Sequence, residues 1–296
     1  MKIIVGTRGS KLALTQTNWV IDELKKYNNN LEFEIKIIKT KGDLIQDVSL
    51  DKIGDKGLFV KEIEQQLIDK NIDMAVHSMK DMPSNLPEEL KFTYSPKRED
   101  ARDILILDEK YNSIDDLPFG ATIATGSKRR KYQLLNFRKD LNIVPIRGNI
   151  DTRIKKIKDE CLDGIVLAAS GVIRAGMKDR INYFLDKEIM LPAPSQGILA
   201  IEIRKDNLEL EKICNSLKDE ETNIQMLAER SFLSSINGSC HVPIGAYCKM
   251  NGEYILLTGL FGDEDGNKLV KKSIEGKKED AVLLGEKLAD MILEEF

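Results

Sequence analysis

The fold is decided at the start of the chain, where residues 2–24 read KIIVGTRGSKLALTQTNWVIDEL. The run from Lys2 to Val5 is typical of a short strand. Ser10 then lies where a helix N-cap is expected, and apolar residues recur behind it with broadly helical spacing. A strand that passes through a short turn into a helix predicts the first unit of an α/β domain.

The same alternation of strand and helix continues along the chain. Apolar and charged residues alternate from Phe33 to Ile37, which predicts a second strand. A helix is predicted over Leu58–Ile68, and a short buried strand over Ile72–Val76, directly before His77. This order of elements indicates a parallel or mixed sheet with helices on both faces.

A second α/β unit is predicted from about residue 100. Its expected elements are strands at Ile104–Leu107, Ala121–Thr125, Ile143–Ile146 and Gly164–Ala168, and helices at Ser127–Phe137 and Asn149–Glu160. A crossover rich in proline and glycine, Leu191–Gly197, then precedes a buried strand at Ile198–Ile203. That strand is a candidate to return to one of the earlier sheets.

The last third of the chain has a different pattern. A helix from Thr222 to about Ile236 is followed by three strand-like runs, which the hairpin signals Asn251-Gly252 and Asp265-Gly266 separate. An amphipathic helix over Asp280–Glu295 closes the chain. We therefore expect two α/β domains and a small α+β domain that contains an antiparallel sheet.

Composition excludes several classes of protein. The 296 residues hold 45 Lys and Arg against 49 Asp and Glu, a net charge of −4, which excludes a globally basic nucleic-acid coat. With two histidines, four cysteines and no Cys-x-x-Cys spacing, we expect neither a zinc site nor a disulfide framework. No signal-peptide core or membrane-length apolar run is present. We expect a cytoplasmic protein.

Positive charge is concentrated in one segment. Between Ala121 and Lys158, eleven Lys and Arg residues stand against Asp140 and Asp151, a local net charge of +9. Two helix starts within it, Thr125-Gly126-Ser127 and Arg147-Gly148-Asn149, could bind anions through backbone N–H groups and hydroxyls. We assign anion binding to the segment's arginines, and a solvated helix face to Lys155, Lys156 and Lys158. The arginines concerned are Arg129, Arg130, Arg147 and Arg153.

Further cations lie in the first unit. Thr7-Arg8-Gly9-Ser10 also joins a strand to a helix start, and Lys52 and Lys56 lie in a glycine-bearing loop. The stretch from Gly120 to Lys128 has the wrong spacing for a P-loop, with Ser127 where lysine is required, so ATP and GTP are excluded as substrates.

The sharpest cluster is His77-Ser78-Met79-Lys80-Asp81-Met82-Pro83, at the end of a predicted buried strand, where α/β sheets bind ligands. A carboxylate at Asp81 could stabilise a cationic intermediate or pass a proton. The alternative is that Asp81 caps the turn before Pro83, and composition leaves both readings open. A catalytic triad of neighbouring Ser78, His77 and Asp81 is disfavoured, because adjacent side chains on an extended chain point apart.

Cys240 is the remaining candidate. Gly238 and Ser239 beside it are small, so its thiol could be exposed and reactive, although a lone cysteine is more often packed and inert. Cys161, Cys214 and Cys248 lie in helix-like or strand-like contexts, and we interpret them as inert.

Six separated blocks of the chain, taken in order, resemble the porphobilinogen deaminase (hydroxymethylbilane synthase) family. They are Gly6–Ala13, Lys56–Glu62, Ala75–Asp81, Arg147–Asn149, Leu191–Pro194 and Cys240–Gly245. The resemblance implies a transferase of tetrapyrrole (heme) biosynthesis that condenses four porphobilinogen units, with release of ammonia, into linear hydroxymethylbilane. It also implies a dipyrromethane cofactor held by a thioether to the residue that matches here, Cys240.

Residue roles also follow from this resemblance. Asp81 matches the family's catalytic aspartate, which assists loss of the aminomethyl nitrogen and stabilises the cationic azafulvene. Cofactor-binding positions match Lys80, Asp81, Thr125, Ser127, Arg129, Arg130, Arg147 and Arg153. Substrate-binding positions match Arg8, Ser10, Lys52, Lys56, Ser78, Arg147, Arg153, Arg174 and Gln196. No metal is implied.

The implied fold consists of two α/β domains that resemble periplasmic binding proteins, plus a small α+β domain that carries the cysteine. We expect domain 1 at residues 1–98 and 194–217, domain 2 at 99–193 and domain 3 at 218–296. We also expect a monomer with no nucleic-acid or membrane partner. Ser195, Ser239 and His241 depart from the family pattern, and Ser195 and Ser239 matter if the backbone there needs a positive φ.

Two readings from other classes compete. A non-catalytic anion-binding or sensor module on the same two-lobed fold would explain the arginines but would leave Cys240 and the third domain without a role. An RNA-binding protein would need stacking aromatics among the basic residues, yet only Tyr132 and Phe137 occur there. We rank both below the deaminase.

Overall fold

The structure is a computed structural model that describes residues 1–44, 60–236 and 242–296. The described chain divides into two compact units. The first contains residues 1–44, 60–99 and 197–223, and the second contains residues 100–196, 224–236 and 242–296. The chain therefore leaves the first unit near residue 99 and re-enters it near residue 197.

Helices and strands alternate through both units. The helices are α1 (Lys11–Tyr27), α2 (Lys41–Leu44), α3 (Lys61–Ile68), α4 (Lys128–Phe137), α5 (Ile150–Asp159), α6 (Ala169–Arg174), α7 (Leu208–Cys214), α8 (Glu220–Ser235) and α9 (Ala281–Leu293). The strands are β1 (Lys2–Thr7), β2 (Glu32–Ile37), β3 (Met74–Ser78), β4 (Leu90–Phe92), β5 (Asp103–Leu107), β6 (Thr122–Ala124), β7 (Asn142–Val144), β8 (Gly164–Ala168), β9 (Tyr183–Phe184), β10 (Leu199–Arg204), β11 (Ile244–Asn251), β12 (Tyr254–Gly262) and β13 (Leu269–Lys277).

The first unit is built on a mixed sheet of order β2-β1-β3-β10-β4. β1 pairs in parallel with β2 and β3, whereas β10 pairs antiparallel with β3 and β4. One apolar cluster joins α1 to one face of the sheet through Val20 and Leu24, and another joins α3 to the opposite face through Ile63 and Leu67. The predicted return of the strand after the crossover is confirmed, since β10 completes this sheet.

The second unit contains a mixed sheet of the same pattern, β7-β6-β8-β5-β9. β6 is parallel to β7 and β8, and β5 is antiparallel to β8 and β9. Separate apolar clusters pack on its two faces, with Leu134 of α4 in one and Ile157 of α5 in the other. The α/β fold class is confirmed for both sheets.

The same unit also contains the antiparallel sheet β11-β12-β13. Gly252 and Gly266 lie in the two predicted hairpin turns with φ of 63° and 72°, a left-handed conformation that glycine adopts without strain. Phe232 of α8 and Leu288 of α9 are fully buried against this sheet. This is the α+β part expected from the change of pattern in the last third of the chain.

The crossover before β10 contains a strained residue. Ser195 has φ of 61°, so its backbone is left-handed. This is the conformation that is strained when serine departs from the family pattern at this position. Its backbone N–H donates to Oε2 of buried Glu229 at 2.6 Å. Ser195 is buried, and among the described residues its hydroxyl has no hydrogen-bond partner. Both features cost stability.

We therefore predict that Ser195→Gly stabilises the protein by about 1 kcal/mol, because glycine removes the left-handed strain and the buried hydroxyl together. Ser195→Ala should recover only the part due to the hydroxyl. Lys70→Gly, at another left-handed position (φ 59°) that is exposed, should recover only the strain part. Urea unfolding of the three variants separates these contributions, and a Ser195→Gly variant no more stable than the wild type would contradict the account.

Candidate active site

Asp81 lies in a short turn that buried neighbours fix in place. β3 ends at Ser78, and a single 3₁₀ turn over Met79–Asp81 follows. The Met79 N–H donates to the carbonyl of Ile198 at 2.9 Å, and Met79 and Met82 are both buried. Asp81 is exposed between them. The sequence spacing thus anchors the turn by two methionines and presents the carboxylate to solvent.

Several predicted site residues meet in one hollow of the first unit. The turn after β1 and the turn after β3 lie at the same edge of the sheet, because β1 and β3 are parallel neighbours. The hollow is lined by Arg8, Ser10, Leu12, Ala13, Gln16, Val60, Val76, His77, Ser78 and Asp81. A guanidinium, hydroxyls and a carboxylate therefore share one small hollow with apolar side chains.

The hydroxyls in this hollow are held by hydrogen bonds. Ser10 is the N-cap of α1, as predicted, and its Oγ accepts the Ala13 N–H at 3.3 Å. Gln16 Nε2 donates to Ser78 Oγ at 3.0 Å. Sequence reasoning missed Gln16, although a polar residue on the buried face of an amphipathic helix was a usable signal.

The second unit presents two capped helix starts. Ser127 caps α4 by accepting the Arg130 N–H at 3.5 Å, and Asn149 caps α5 by accepting the Thr152 N–H at 3.0 Å. Thr125 Oγ1 accepts the Ser127 N–H at 3.2 Å. Arg153, on the first turn of α5, donates from Nε to the Gly148 carbonyl at 2.7 Å. Both helix starts thus combine the backbone donors and polar side chains that suit an anion.

Arg129 and Arg130 lie inside the protein rather than on a solvated helix face. Arg129 Nη1 contacts Asp103 Oδ2 at 2.6 Å and the Leu191 carbonyl at 2.8 Å. Arg130 Nη2 contacts Asp103 Oδ1 at 2.8 Å, and its Nη1 donates to the Val166 carbonyl. Both arginines are at least nine-tenths buried. Their guanidinium groups therefore bind strand β8 and the crossover as well as Asp103.

Asp103 is the centre of this cluster. Burial alone would raise the pKa of its carboxyl, but the charges of Arg129 and Arg130 outweigh burial and hold the pKa well below the usual range. Gln196, which is fully buried, also donates to Asp103 Oδ1 at 3.0 Å. Asp103 was not among the residues predicted from the sequence, although an acidic residue at the head of the apolar run of β5 was the available signal.

Other charges of the basic segment are paired at the surface. Lys155 and Lys156 lie one helical turn from Asp159 and Glu160, with N···O distances of 3.9 and 3.0 Å, as expected for a solvated face. Lys128 contacts Glu264 at 3.0 Å. Arg147 and Arg153 are half-buried near the start of α5.

The remaining predicted site residues and the cysteines differ in burial, and some of them lie outside the described residues. Lys80 is half-buried beside Asp81, and Arg174 is half-buried at the end of α6. Lys52, Lys56 and Cys240, together with Ser239 and His241, lie outside the described residues. Cys214 and Cys248 are buried, whereas Cys161 is exposed.

Within residues 1–44, 60–236 and 242–296, no group of three or more His, Cys, Asp or Glu side chains could hold a metal ion. The helices found in that part of the chain are too short or too polar to cross a membrane.

Comparison with known proteins gives matches along the whole chain. The family model "Porphobilinogen deaminase, dipyromethane cofactor binding domain" matches residues 3–212, and "Porphobilinogen deaminase, C-terminal domain" matches residues 223–294. The porphobilinogen deaminase of Clostridium novyi (strain NT) is 62% identical over 100% of both chains. That of Clostridioides difficile (strain 630) is 64% identical over 100% of this chain and 98% of its own.

A likeness to binding proteins is found as well. The structure of a probable amino-acid ABC transporter extracellular-binding protein from Bacillus subtilis is 14% identical and gives a TM-score of 0.44 over 79% of this chain and 97% of its own. The likeness is weak, and no conclusion about the site rests on it.

The Asp103 cluster yields a prediction of stability. We expect Asp103→Asn to lower the free energy of unfolding at pH 7 by about 3–5 kcal/mol, because two buried guanidinium groups lose their counter-charge. The pKa of Asp103 is lowered on folding, so its contribution is present above the unfolded value near 4 and is lost only as pH falls well below it.

Asp159→Asn is the matched control, since it removes a carboxylate from an exposed pair on α5 and should cost less than about 0.5 kcal/mol. Denaturant unfolding measures both variants. Equal losses in the two would show that the buried ion pairs add no more to stability than an exposed one.

Proposed function

Because this chain belongs to the porphobilinogen deaminase family, we propose that it condenses four porphobilinogen units into the linear tetrapyrrole hydroxymethylbilane, with release of ammonia at each step. It is thus a transferase of the family that the six sequence blocks identified. The observation that carries the proposal is the match of both family models to nearly the whole chain. The hollow around Asp81 supports the proposal. In it, the Asp81 carboxylate lies beside a guanidinium and hydroxyls, which are groups that bind the carboxylates of a substrate.

The substrate explains the uneven charge. Each porphobilinogen carries two carboxylates, so a growing product accumulates negative charge and needs cations and N–H donors along its length. We propose that Arg8, Ser10 and Ser78 bind substrate carboxylates in the first unit, and that Arg147, Arg153 and Arg174 do so in the second. Lys80, Thr125 and Ser127 would bind the carboxylates of the cofactor. Lys52 and Lys56, which lie outside the described residues, would add two further cations.

A dipyrromethane cofactor is compatible with the residues present. The group is built from two porphobilinogen units and is therefore strongly anionic, and the capped starts of α4 and α5 offer backbone N–H groups beside hydroxyls and half-buried arginines. When bound, it supplies the primer to which new pyrrole units are joined. We propose that Cys240 holds it by a thioether.

The sequence assigned Arg129 and Arg130 to the cofactor and Gln196 to the substrate. Because all three side chains are buried and bind Asp103, we propose that they position the site instead. Their bonds to Asp103 tie the first turn of α4 to β5 and to the crossover, so they fix where Thr125 and Ser127 present their donors. Asp103 cancels one of the two arginine charges. The site therefore keeps a local positive charge on a rigid support.

Asp81 is the proposed catalytic residue. As a carboxylate beside Lys80, it can stabilise positive charge that develops on a pyrrole N–H, or hold a proton at Oδ for the departing amine. Buried Met79 and Met82 fix its backbone, so little reorganisation is needed at the moment of reaction. We further propose that the protein acts as a cytoplasmic monomer, with the three domains expected from the sequence and without nucleic-acid or membrane partners.

The cofactor anchor predicts a covalent adduct on one cysteine. After incubation with porphobilinogen, the intact mass of the wild type should exceed that of the bare chain by one dipyrromethane unit, and Cys240→Ala should lack the addition. Cys161→Ala is the matched control, because Cys161 is exposed but has no assigned role. An adduct that persists in Cys240→Ala, or that disappears in Cys161→Ala, would place the anchor elsewhere.

The catalytic assignment predicts a loss of turnover without loss of the adduct. Asp81→Asn should retain the mass addition of the adduct and the wild-type melting temperature, while hydroxymethylbilane formation falls by about 10²- to 10⁴-fold. Glu88→Gln removes an exposed carboxyl from the same unit and should leave the rate unchanged. Wild-type turnover in Asp81→Asn would refute a catalytic role for this carboxylate.

A further inference from the structure

A buried polar cluster lies directly behind the Asp81 turn. His77 is the last buried residue of β3, one residue before Ser78. Its Nε2 lies 3.2 Å from Glu202 Oε2 on β10, within hydrogen-bond distance. Glu202 pairs with Ala75 across the two strands, which places it on the same sheet face as His77. Glu64 of α3, the helix that packs on this face, is 7% exposed.

Burying this cluster lowers the stability of the fold, and not all of its polar atoms have hydrogen-bond partners. His77 is 6% exposed and Glu202 is fully buried. Among the described residues, Glu64 Oε1 and Glu202 Oε1 are buried and have no hydrogen-bond partner. Two carboxyl groups and an imidazole removed from water cost several kcal/mol, and apolar residues of similar volume would cost less. Stability alone therefore does not account for the cluster.

Neighbouring groups favour a proton on Glu64. Burial and then the negative charge of Glu202 raise the pKa of the Glu64 carboxyl to about 7, against smaller opposing effects of His77 and Lys61. Since the pKa is raised on folding, the protonated carboxyl favours the fold below the unfolded value near 4.3, and this contribution is lost as pH rises through 7.

The surroundings of Glu64 identify which other groups bear on this proton. β10 contributes Arg204 as well as Glu202, and Arg204 donates to the carbonyls of Leu67 and Ile72. β1 and β4 contribute Ile4 and Leu90 to the apolar cluster under α3. On α3 itself, Lys61 is exposed and Glu62 is half-buried.

We propose that Glu64, Glu202 and His77 form a buried proton-holding network that positions the Ser78–Asp81 turn, so that the protonation state of Glu64 determines how well Asp81 is placed. The proposal rests on the proposed function for its kinetic consequence. With Glu64 protonated, one negative charge pairs with the His77 N–H. When Glu64 ionises, a second buried negative charge repels Glu202 and competes for His77, and the end of β3 must adjust.

The network can be tested without activity. In the purified full chain, the backbone amides of Ser78–Asp81 should show an NMR inflection near pH 7. The inflection should disappear in Glu64→Gln and persist in Glu209→Gln, which removes an exposed carboxyl of the same unit. Amides that show no Glu64-dependent inflection would overturn the proposal.

Kinetics then test whether positioning matters for the reaction. The ratio of kcat for Glu64→Gln to kcat for the wild type should rise at least threefold between pH 6 and pH 8.5. His77→Leu should lower kcat at least tenfold with KM changed less than threefold. His77→Gln should restore most of the rate, because its amide can donate to Glu202 as the imidazole does.

The outcomes separate this proposal from the proposed function. A folded His77→Leu variant with wild-type kcat, or a kcat ratio that does not change with pH, overturns the positioning role. A wild type that makes no hydroxymethylbilane refutes the proposed function, and the NMR inflection then decides the network alone. If His77→Leu does not fold, the Glu64→Gln comparison still tests the proposal.

Discussion

The ion pairs between Asp103 and the two arginines of α4 are the constraint on which the site-bearing part of the second unit depends. They bring together strand β5, the first turn of α4, strand β8 and the crossover. Two buried arginines without Asp103 would leave two uncompensated charges in the interior, whereas the carboxylate balances one of them. The cluster therefore fixes the helix start at which Thr125 and Ser127 lie.

The charged residues of the proposed site are arranged differently in the two units. In the second unit, Asp103 and surface carboxylates pair with part of the arginine-rich segment, so its charge is balanced in part and held in place. In the first unit, Arg8 and Asp81 line one hollow with Ser10 and Ser78. A polyanionic product requires positive charge that is held in place, and rigid backbone donors supply specificity that mobile lysines cannot.

Local sequence patterns predicted most of the fold. Apolar runs and capping residues located β1, α1 and the hairpins, because short-range hydrogen bonding and burial decide these elements. The short elements α2, β4, β9, α6 and α7 were not predicted, because a few residues carry too little periodic pattern. Ser195 shows the same limit in another form. The family pattern suggested a positive φ, but only the tertiary contact with Glu229 explains how a serine is held there.

In the site, too, local sequence predicts some residues, whereas tertiary contacts determine others. Arg8, Ser10, Ser78 and Asp81 follow from strand ends at one edge of a sheet, so sequence order could predict their meeting. The partners of Arg129 and Arg130 could not be found in this way, because Asp103 is far from them along the chain and the local count of acids omits it. Glu64 and Glu202 were missed for the same reason. Charged residues that pair across the core can be recognised only when the alignment of the strands is known. Such pairs hold in place the elements that carry the site residues.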